Sequence, residues 1–407
     1  ITSPKLIICR HDAASDAYNS IVIKDGNIEA VGSLSNLLRR FPGHRLIRLQ
    51  NAVIMPGLVN THTHLELPLL LNDIRSRTFP DWVLNLINAK KNLNRKDYFS
   101  AASENLKILI RTGTTTVGEI CTHDVSSGLL KQTGLRAVVF REIISMGPQE
   151  SSKFRVQSSK LRNSTLVRAG LSPHSPYTVS ETVLRQINTI AMRQNIKLCM
   201  HVAESKDEIR LLQRKKSGLE KLYQFAHWDL AWAPTGSSSG EYLNRIGFLS
   251  PDLLAVHAVQ ATDEDIALIK RSEASVAHCP RSNKETRVGR MPLKKFLDAG
   301  IPIGLGTDSL ASSPSLNMWD EMRYAHRIHR RDGISAEDIF RLATIGGARA
   351  LGLDQDIGTI EPGKKADIIA VPLPKKNTGD FYSDLLRETN SCIMSVVNGE
   401  IIYRQPQ

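Results

Sequence analysis

Short apolar runs alternate with longer helical stretches through the middle of the chain. The first run, Ala52-Val53-Ile54-Met55, is broken by Pro56-Gly57 and reads as a buried strand entering a barrel or sheet. Just beyond it come His62 and His64. In extended chain, residues i and i+2 share a face, so both imidazoles aim at one point, as two ligands of one metal must. Further apolar runs at 114–120, 135–143, 167–171, 197–201, 253–257, 275–278 and 301–305 bring the strands to eight. Helical periodicity fills the gaps at 99–110, 182–193, 263–270 and 293–298. Eight β/α units predict an α/β fold, a (β/α)8 TIM-like barrel with its chemistry at the carboxyl ends of the strands.

The two ends of the chain read differently. Residues 21–32 form β-rich arms around Asp25-Gly26-Asn27, and residues 366–371 and 392–403 repeat the pattern with a turn at Asn398-Gly399. A small β-sandwich built from both termini is expected, with 1–55 and 355–407 as one composite unit. The barrel domain is then 56–354.

The polar residues at the strand ends carry the functional signal. Strand one ends in His62 and His64, strand four in His174, and strand five in His201 and Glu204. Strand six ends in His257, strand seven in His278 and strand eight in Asp308. Unpaired polar groups in a barrel mouth cost free energy, so so many of them together imply a use. Taking His62, His64, His201 and Asp308 as ligands gives a donor set suited to one Zn²⁺, with Fe²⁺ or Mn²⁺ as alternatives. Such an ion draws the pKa of bound water from about 15.7 toward 7. Glu204, three residues past His201, is the natural proton shuttle. His257 is placed to polarise the group under attack, and Asp308 to take the water proton while ligating. Two-metal barrels of this kind usually carry a bridging lysine at the end of strand four. This chain has Ser172-Pro173-His174-Ser175 there, which favours one metal.

Composition narrows the setting. The 407 residues are 41% hydrophobic, enough for a large core, and no apolar run approaches the roughly 20 residues of a membrane span. The net charge of +12 raises a nucleic-acid partner. The basic clusters (Lys90-Lys91, Arg214-Lys215-Lys216, Arg330-Arg331) lie on helical stretches with few aromatics, which reads as a solvated outer ring. A small-molecule substrate, no nucleic acid and no membrane are therefore expected. Five widely spaced cysteines without a CxxC pair fit a reducing, cytoplasmic location. No signal-peptide pattern is visible, and because Ile1 is not Met a few leading residues are expected to be missing. A homo-oligomer, most simply a dimer, is expected for this fold.

Together, Pro56-Gly57-Leu58-Val59-Asn60-Thr61-His62-Thr63-His64, His201-Val202-Ala203-Glu204, His278-Cys279-Pro280-Arg281-Ser282-Asn283 and Gly304-Leu305-Gly306-Thr307-Asp308-Ser309 resemble the amidohydrolase superfamily, in particular its mononuclear deaminase branch. The closing stretches 343–348 and 357–367 are similar to that family's final signature. The resemblance implies metal ligation by His62, His64, His201 and Asp308, proton transfer by Glu204, and substrate orientation by His257. His174-Ser175-Pro176-Tyr177-Thr178 is similar to the stretch that places a nucleoside-contacting His in adenosine-type deaminases. Features at 64–66, Phe79, Trp82, 113–119 and 232–236 resemble aminodeoxyfutalosine deaminases of the alternative menaquinone route, ahead of S-adenosylhomocysteine/methylthioadenosine deaminases.

The resemblance thus implies hydrolytic removal of an exocyclic purine amine. The same machinery suits dechlorination of a triazine or opening of a cyclic amide. A non-catalytic barrel scaffold, the reading from another class, usually lacks some ligands, and this chain keeps all of them. Glu66 is read as a substrate contact, with a helix-start carboxylate as the alternative. His278 is read as structural, and Arg281, Ser282 and Asn283 as orienting loops. His123 stays a candidate pocket residue, Trp82 and Trp228 read as packing, and His11, His44, His227, His326 and His329 are given no role.

Overall fold

The computed structural model describes residues 1–9, 18–146 and 163–406, so His11 lies outside the described residues. The N-terminal part supplies β1 (Lys5–Leu6), β2 (Ser20–Lys24), β3 (Asn27–Gly32) and β4 (Ala52–Pro56). The barrel strands follow: β5 (Leu58–Thr63), β6 (Thr114–Cys121), β7 (Arg136–Ile143), β8 (Val167–Pro173), β9 (Lys197–Val202), β10 (Leu253–His257), β11 (Ser275–His278) and β12 (Ile303–Leu305). These eight strands make one parallel sheet in sequence order. It closes through a bridge between Thr63 and Asp308, with Asn60 and Thr307 exchanging hydrogen bonds across the same seam. The fold is a (β/α)8 barrel, as the alternation of apolar runs and helical stretches requires.

One boundary differs from the sequence expectation. The run 52–55 does not enter the barrel. It forms β4, which pairs with β13 (Ile368–Pro372) in a second sheet, and the chain changes sheets at Gly57. A Cβ there would lie 2.0 Å from Thr115 Oγ1, so only glycine lets the backbone pass this close to β6. His62 consequently lies inside β5, not beyond it.

Strand parity organises the rest. Val138 and Phe140 of β7, Cys199 of β9, Leu254 and Val256 of β10, and Ala277 and Cys279 share one apolar cluster that fills the barrel. The alternate residues Ala137 and Val139 pack outward with Leu106 and Leu109 of helix Arg95–Arg111. That helix starts at a capping box formed by Asn94 and Asp97, which satisfies its first free N–H groups. Emptying the middle of the lumen by Phe140→Ala would cost about 3–5 kcal/mol.

The second sheet runs β1-β4-β13-β14-β15, where β14 is Met394–Val397 and β15 is Glu400–Arg404. Both termini therefore contribute to it. β2 and β3 form a separate hairpin. Its turn, Asp25-Gly26, has positive φ at both residues, as does Asn398-Gly399 between β14 and β15, the geometry that two-residue hairpin turns demand. A buried ion pair ties sheet to barrel: Arg136 Nε and Nη2 reach the Asp367 carboxylate at 2.7 and 3.0 Å. Among the described residues, no helix is long and apolar enough to cross a membrane.

Candidate active site

His62, His64 and His201 bring one ring nitrogen each within 4.8 Å of one another at the carboxyl end of the barrel. The β5–β6 register slips between Asn60 and Thr63, and His62 Nδ1 lies 3.7 Å from the lumen residue Cys199. Asp308 joins the group. Its Oδ1 is 3.5 Å from His64 Nε2 and 3.8 Å from His62 Nε2, while Oδ2 accepts hydroxyls from Ser282 (2.6 Å) and Ser312 (2.9 Å). One carboxylate oxygen is thus anchored and the other faces the imidazoles.

The donor set fits a divalent cation. His201 Nδ1 lies 2.9 Å from the His174 carbonyl, which only accepts, so the proton sits on Nδ1 and Nε2 carries a lone pair. That Nε2 is 3.3 Å from His62 Nε2. Burial, reinforced by neighbouring imidazoles, holds both rings well below the ordinary histidine value, so both are neutral. Asp308 is held well below the usual carboxylate range despite its burial, chiefly by His64 and His62. Neutral imidazoles converging with an anionic oxygen are the protonation states that metal ligation needs.

Beside this group stand Glu204 and His257. Glu204 Oε1 is 3.6 Å from His257 Nε2. Burial, then Asp308 and Glu208, pushes the Glu204 carboxyl well above its ordinary value, and burial lowers His257. Both are therefore neutral, and their contact is not an ion pair. The parity of β10 would turn His257 outward, because Val256 faces the lumen. Positive φ at His257 and Ala258 re-aims the ring, a strained backbone of the kind found at functional sites. Glu208 receives the backbone N–H groups of Ala203 (2.8 Å) and Glu204 (2.9 Å), fixing the bend after β9.

His174 joins the mouth edge-on to His201, ring centroids 4.8 Å apart, with Nδ1 2.9 Å from Thr178 Oγ1. Glu66 does not join it, and the substrate-contact reading is corrected. Its carboxylate is buried and takes the backbone N–H groups of Thr122, His123, Val125 and Ser126 at 2.6–3.1 Å. With those donors satisfied it holds the loop after β6 and the start of helix Ser126–Thr133, a helix-start carboxylate for a helix far along the chain. His123 stacks on Tyr98, centroids 3.7 Å apart. His278 points outward to His329, with Nε2 atoms 3.1 Å apart. Asn283 and Ser282 hold His257 and Asp308 respectively. One mouth residue escaped the sequence reading: Glu142, at the end of β7. The strand-end rule used for the histidines would have found it.

Residues 53–402 match the model described as the amidohydrolase family. The 5'-deoxyadenosine deaminase of Methanothermobacter thermautotrophicus is 30% identical over 383 residues, 91% of this chain and 83% of the relative. The 5-methylthioadenosine/S-adenosylhomocysteine deaminase of Pyrococcus furiosus is 31% identical over 371 residues, 87% of this chain and 82% of the relative. Among solved structures, Helicobacter pylori aminofutalosine deaminase with methylthio-coformycin has a TM-score of 0.89 at 23% identity, covering 99% of each chain. At that identity the likeness is one of fold.

Proposed function

Because the chain belongs to the amidohydrolase family and curated relatives about 30% identical to it are named as deaminases, we propose that it removes the exocyclic amine of an adenosine-type nucleoside. The observation that carries this reading is the buried Glu204–His257 pair, 3.6 Å apart, set against a three-imidazole donor group. Relatives about 30% identical over most of the chain, named as deaminases of 5'-modified adenosines, support it.

In this reading His62, His64, His201 and Asp308 hold one divalent ion, zinc being suited by three neutral imidazoles and one carboxylate. When bound, such an ion supplies the Lewis acidity that makes water reactive near neutral pH. Everything else falls to the chain. Asp308 accepts the proton of the attacking water through Oδ1. His257, whose Nδ1 is engaged by Asn283 Oδ1, offers its Nε2 lone pair to orient that water. Protonated Glu204 donates to the ring nitrogen next to the amine-bearing carbon as the C–O bond forms. The departing amine takes up the proton held by Asp308 and leaves as ammonia, while the new C–OH returns its proton to Glu204, so the ring keeps a carbonyl and an N–H and both carboxyls regain their starting states. A water-excluded, buried site strengthens each of these hydrogen bonds.

The 5' substituent is the finer question. Motifs at 64–66, 113–119 and 232–236 favour an aminodeoxyfutalosine-type substrate, and the curated relatives favour 5'-deoxyadenosine, methylthioadenosine or S-adenosylhomocysteine. The test is ammonia release from those four compounds and adenosine. We expect release from at least one, with kcat/KM ranking the substituents. Ammonia from none of them would overturn the reading.

A further inference from the structure

Glu142 ends the inward-facing row of β7. Val138 and Phe140 belong to the cluster that fills the barrel, and strand alternation carries the next inward position to Glu142 at the mouth. It is in register with Ser172, two residues before His174. Thr122, just past β6, donates its hydroxyl to Oε2 at 2.7 Å. Oε1 has no hydrogen-bond partner among the described residues. Burial alone would push this carboxyl up, but His174, His64, Lys90 and the Thr122 hydroxyl hold it below the usual carboxylate range. No step of the hydrolysis uses it.

A carboxylate with one oxygen anchored and the other open is an acceptor waiting for hydroxyl donors. Its place matters as much as its charge. Glu204 follows β9, and β7 lies two strands away in the sheet. Two inter-strand spacings are roughly 10 Å, a distance a nucleoside covers between its base and its sugar. Vicinal hydroxyls present two donors at the separation a single carboxylate reads. Free bases and triazines have none to offer.

We infer that Glu142 receives the 2'- and 3'-hydroxyls of a ribose and so restricts the site to ribonucleosides. The inference rests on the deaminase reading above and adds a selectivity to it. Glu142 is a specificity-determining residue in this account and takes no part in bond cleavage.

The test couples deletion of the side chain to deletion of the hydroxyls. Ammonia release would be measured with adenosine, 2'-deoxyadenosine and 3'-deoxyadenosine for the wild-type protein, Glu142→Ala and Glu142→Gln. Removing a hydroxyl should cost the wild type about 10–100-fold in kcat/KM, chiefly through KM. Glu142→Ala should lose a similar factor with adenosine and become nearly indifferent to the missing hydroxyls. A residue that only supported the fold would lower all three substrates alike. Deoxy penalties as large in Glu142→Ala as in the wild type, or unchanged adenosine kinetics, would overturn the inference. Where Glu142→Ala does not fold, the isosteric Glu142→Gln carries the same comparison, and an undiminished penalty sinks the idea. Titration calorimetry of inosine against 2',3'-dideoxyinosine separates the two readings. If no nucleoside releases ammonia but inosine still binds tighter in a Glu142-dependent way, the deaminase reading falls and the diol site stands. If Glu142→Ala leaves that difference in binding intact, the diol site falls.

Discussion

Asn283 Oδ1 lies 2.8 Å from His257 Nδ1, and from the preceding residue Ser282 Oγ lies 2.6 Å from Asp308 Oδ2. One short helix, Pro280–Glu285, therefore orients two site residues that come from different strands. With Nδ1 engaged, His257 presents one defined nitrogen to the mouth.

Asn283→Ala should free that ring to rotate and change tautomer. Partners of this kind typically contribute 10–100-fold, so kcat/KM for the best nucleoside should fall by about that factor. Circular dichroism should remain that of the wild type. Unchanged kinetics would remove Asn283 from the account.

Ser282→Ala acts one step away, on Asp308. Ser312 still donates to the same oxygen, so the loss is partial. Affinity for the metal, measured by competition with a chelator, should fall by about 10-fold or less.

Arg136 and Asp367 hold the barrel to the terminal sheet from a buried position, and Asp367 Oδ1 also accepts the Asn398 backbone N–H at 2.8 Å. Asp367→Ala leaves a buried guanidinium unpaired and should cost about 3–5 kcal/mol. The combination Arg136→Met with Asp367→Asn should cost less. Urea denaturation midpoints decide between these orders.

Stability should also depend on Glu208, whose carboxyl burial pushes up to about 7 against its bonds from Ser239, Glu204 and Ala203. The unfolded chain releases this proton near the ordinary value of about 4.3. Between those two values the folded state holds a proton that the unfolded state has lost. Stability therefore falls as pH rises through that window, by about 4 kcal/mol in total, and the effect is flat above it. Urea midpoints for the wild type and Glu208→Gln across pH 4.5–8 should differ in slope only there. Parallel curves would contradict the assignment.

The strand-end residues were legible because barrel chemistry sits at one end of each strand, and alternation alone separates most inward residues from outward ones. His278 and Cys279 illustrate it: parity sends Cys279 to the lumen and His278 to His329 on the outer helix Met318–His329. His257 breaks the same parity through a left-handed backbone, which no residue pattern announces. The sheet change at Gly57 was hidden because Pro-Gly reads equally as a strand end or a crossing. Glu66 misled because its six-residue neighbourhood says nothing of the loop at 121–126 that consumes its oxygens. Glu142 was passed over although it ends a strand, because an acid among apolar residues lacked the company of a histidine.

The central claim is that His62, His64, His201 and Asp308 share one ion on which activity depends. The most direct measurement is metal content by mass spectrometry on the purified wild type and His201→Ala, read beside ammonia release. The account predicts about one equivalent of divalent metal per wild-type chain, loss of most of it in His201→Ala, and activity below about 1% in the variant. Full activity in metal-free protein, or metal content and turnover that survive His201→Ala, would contradict it.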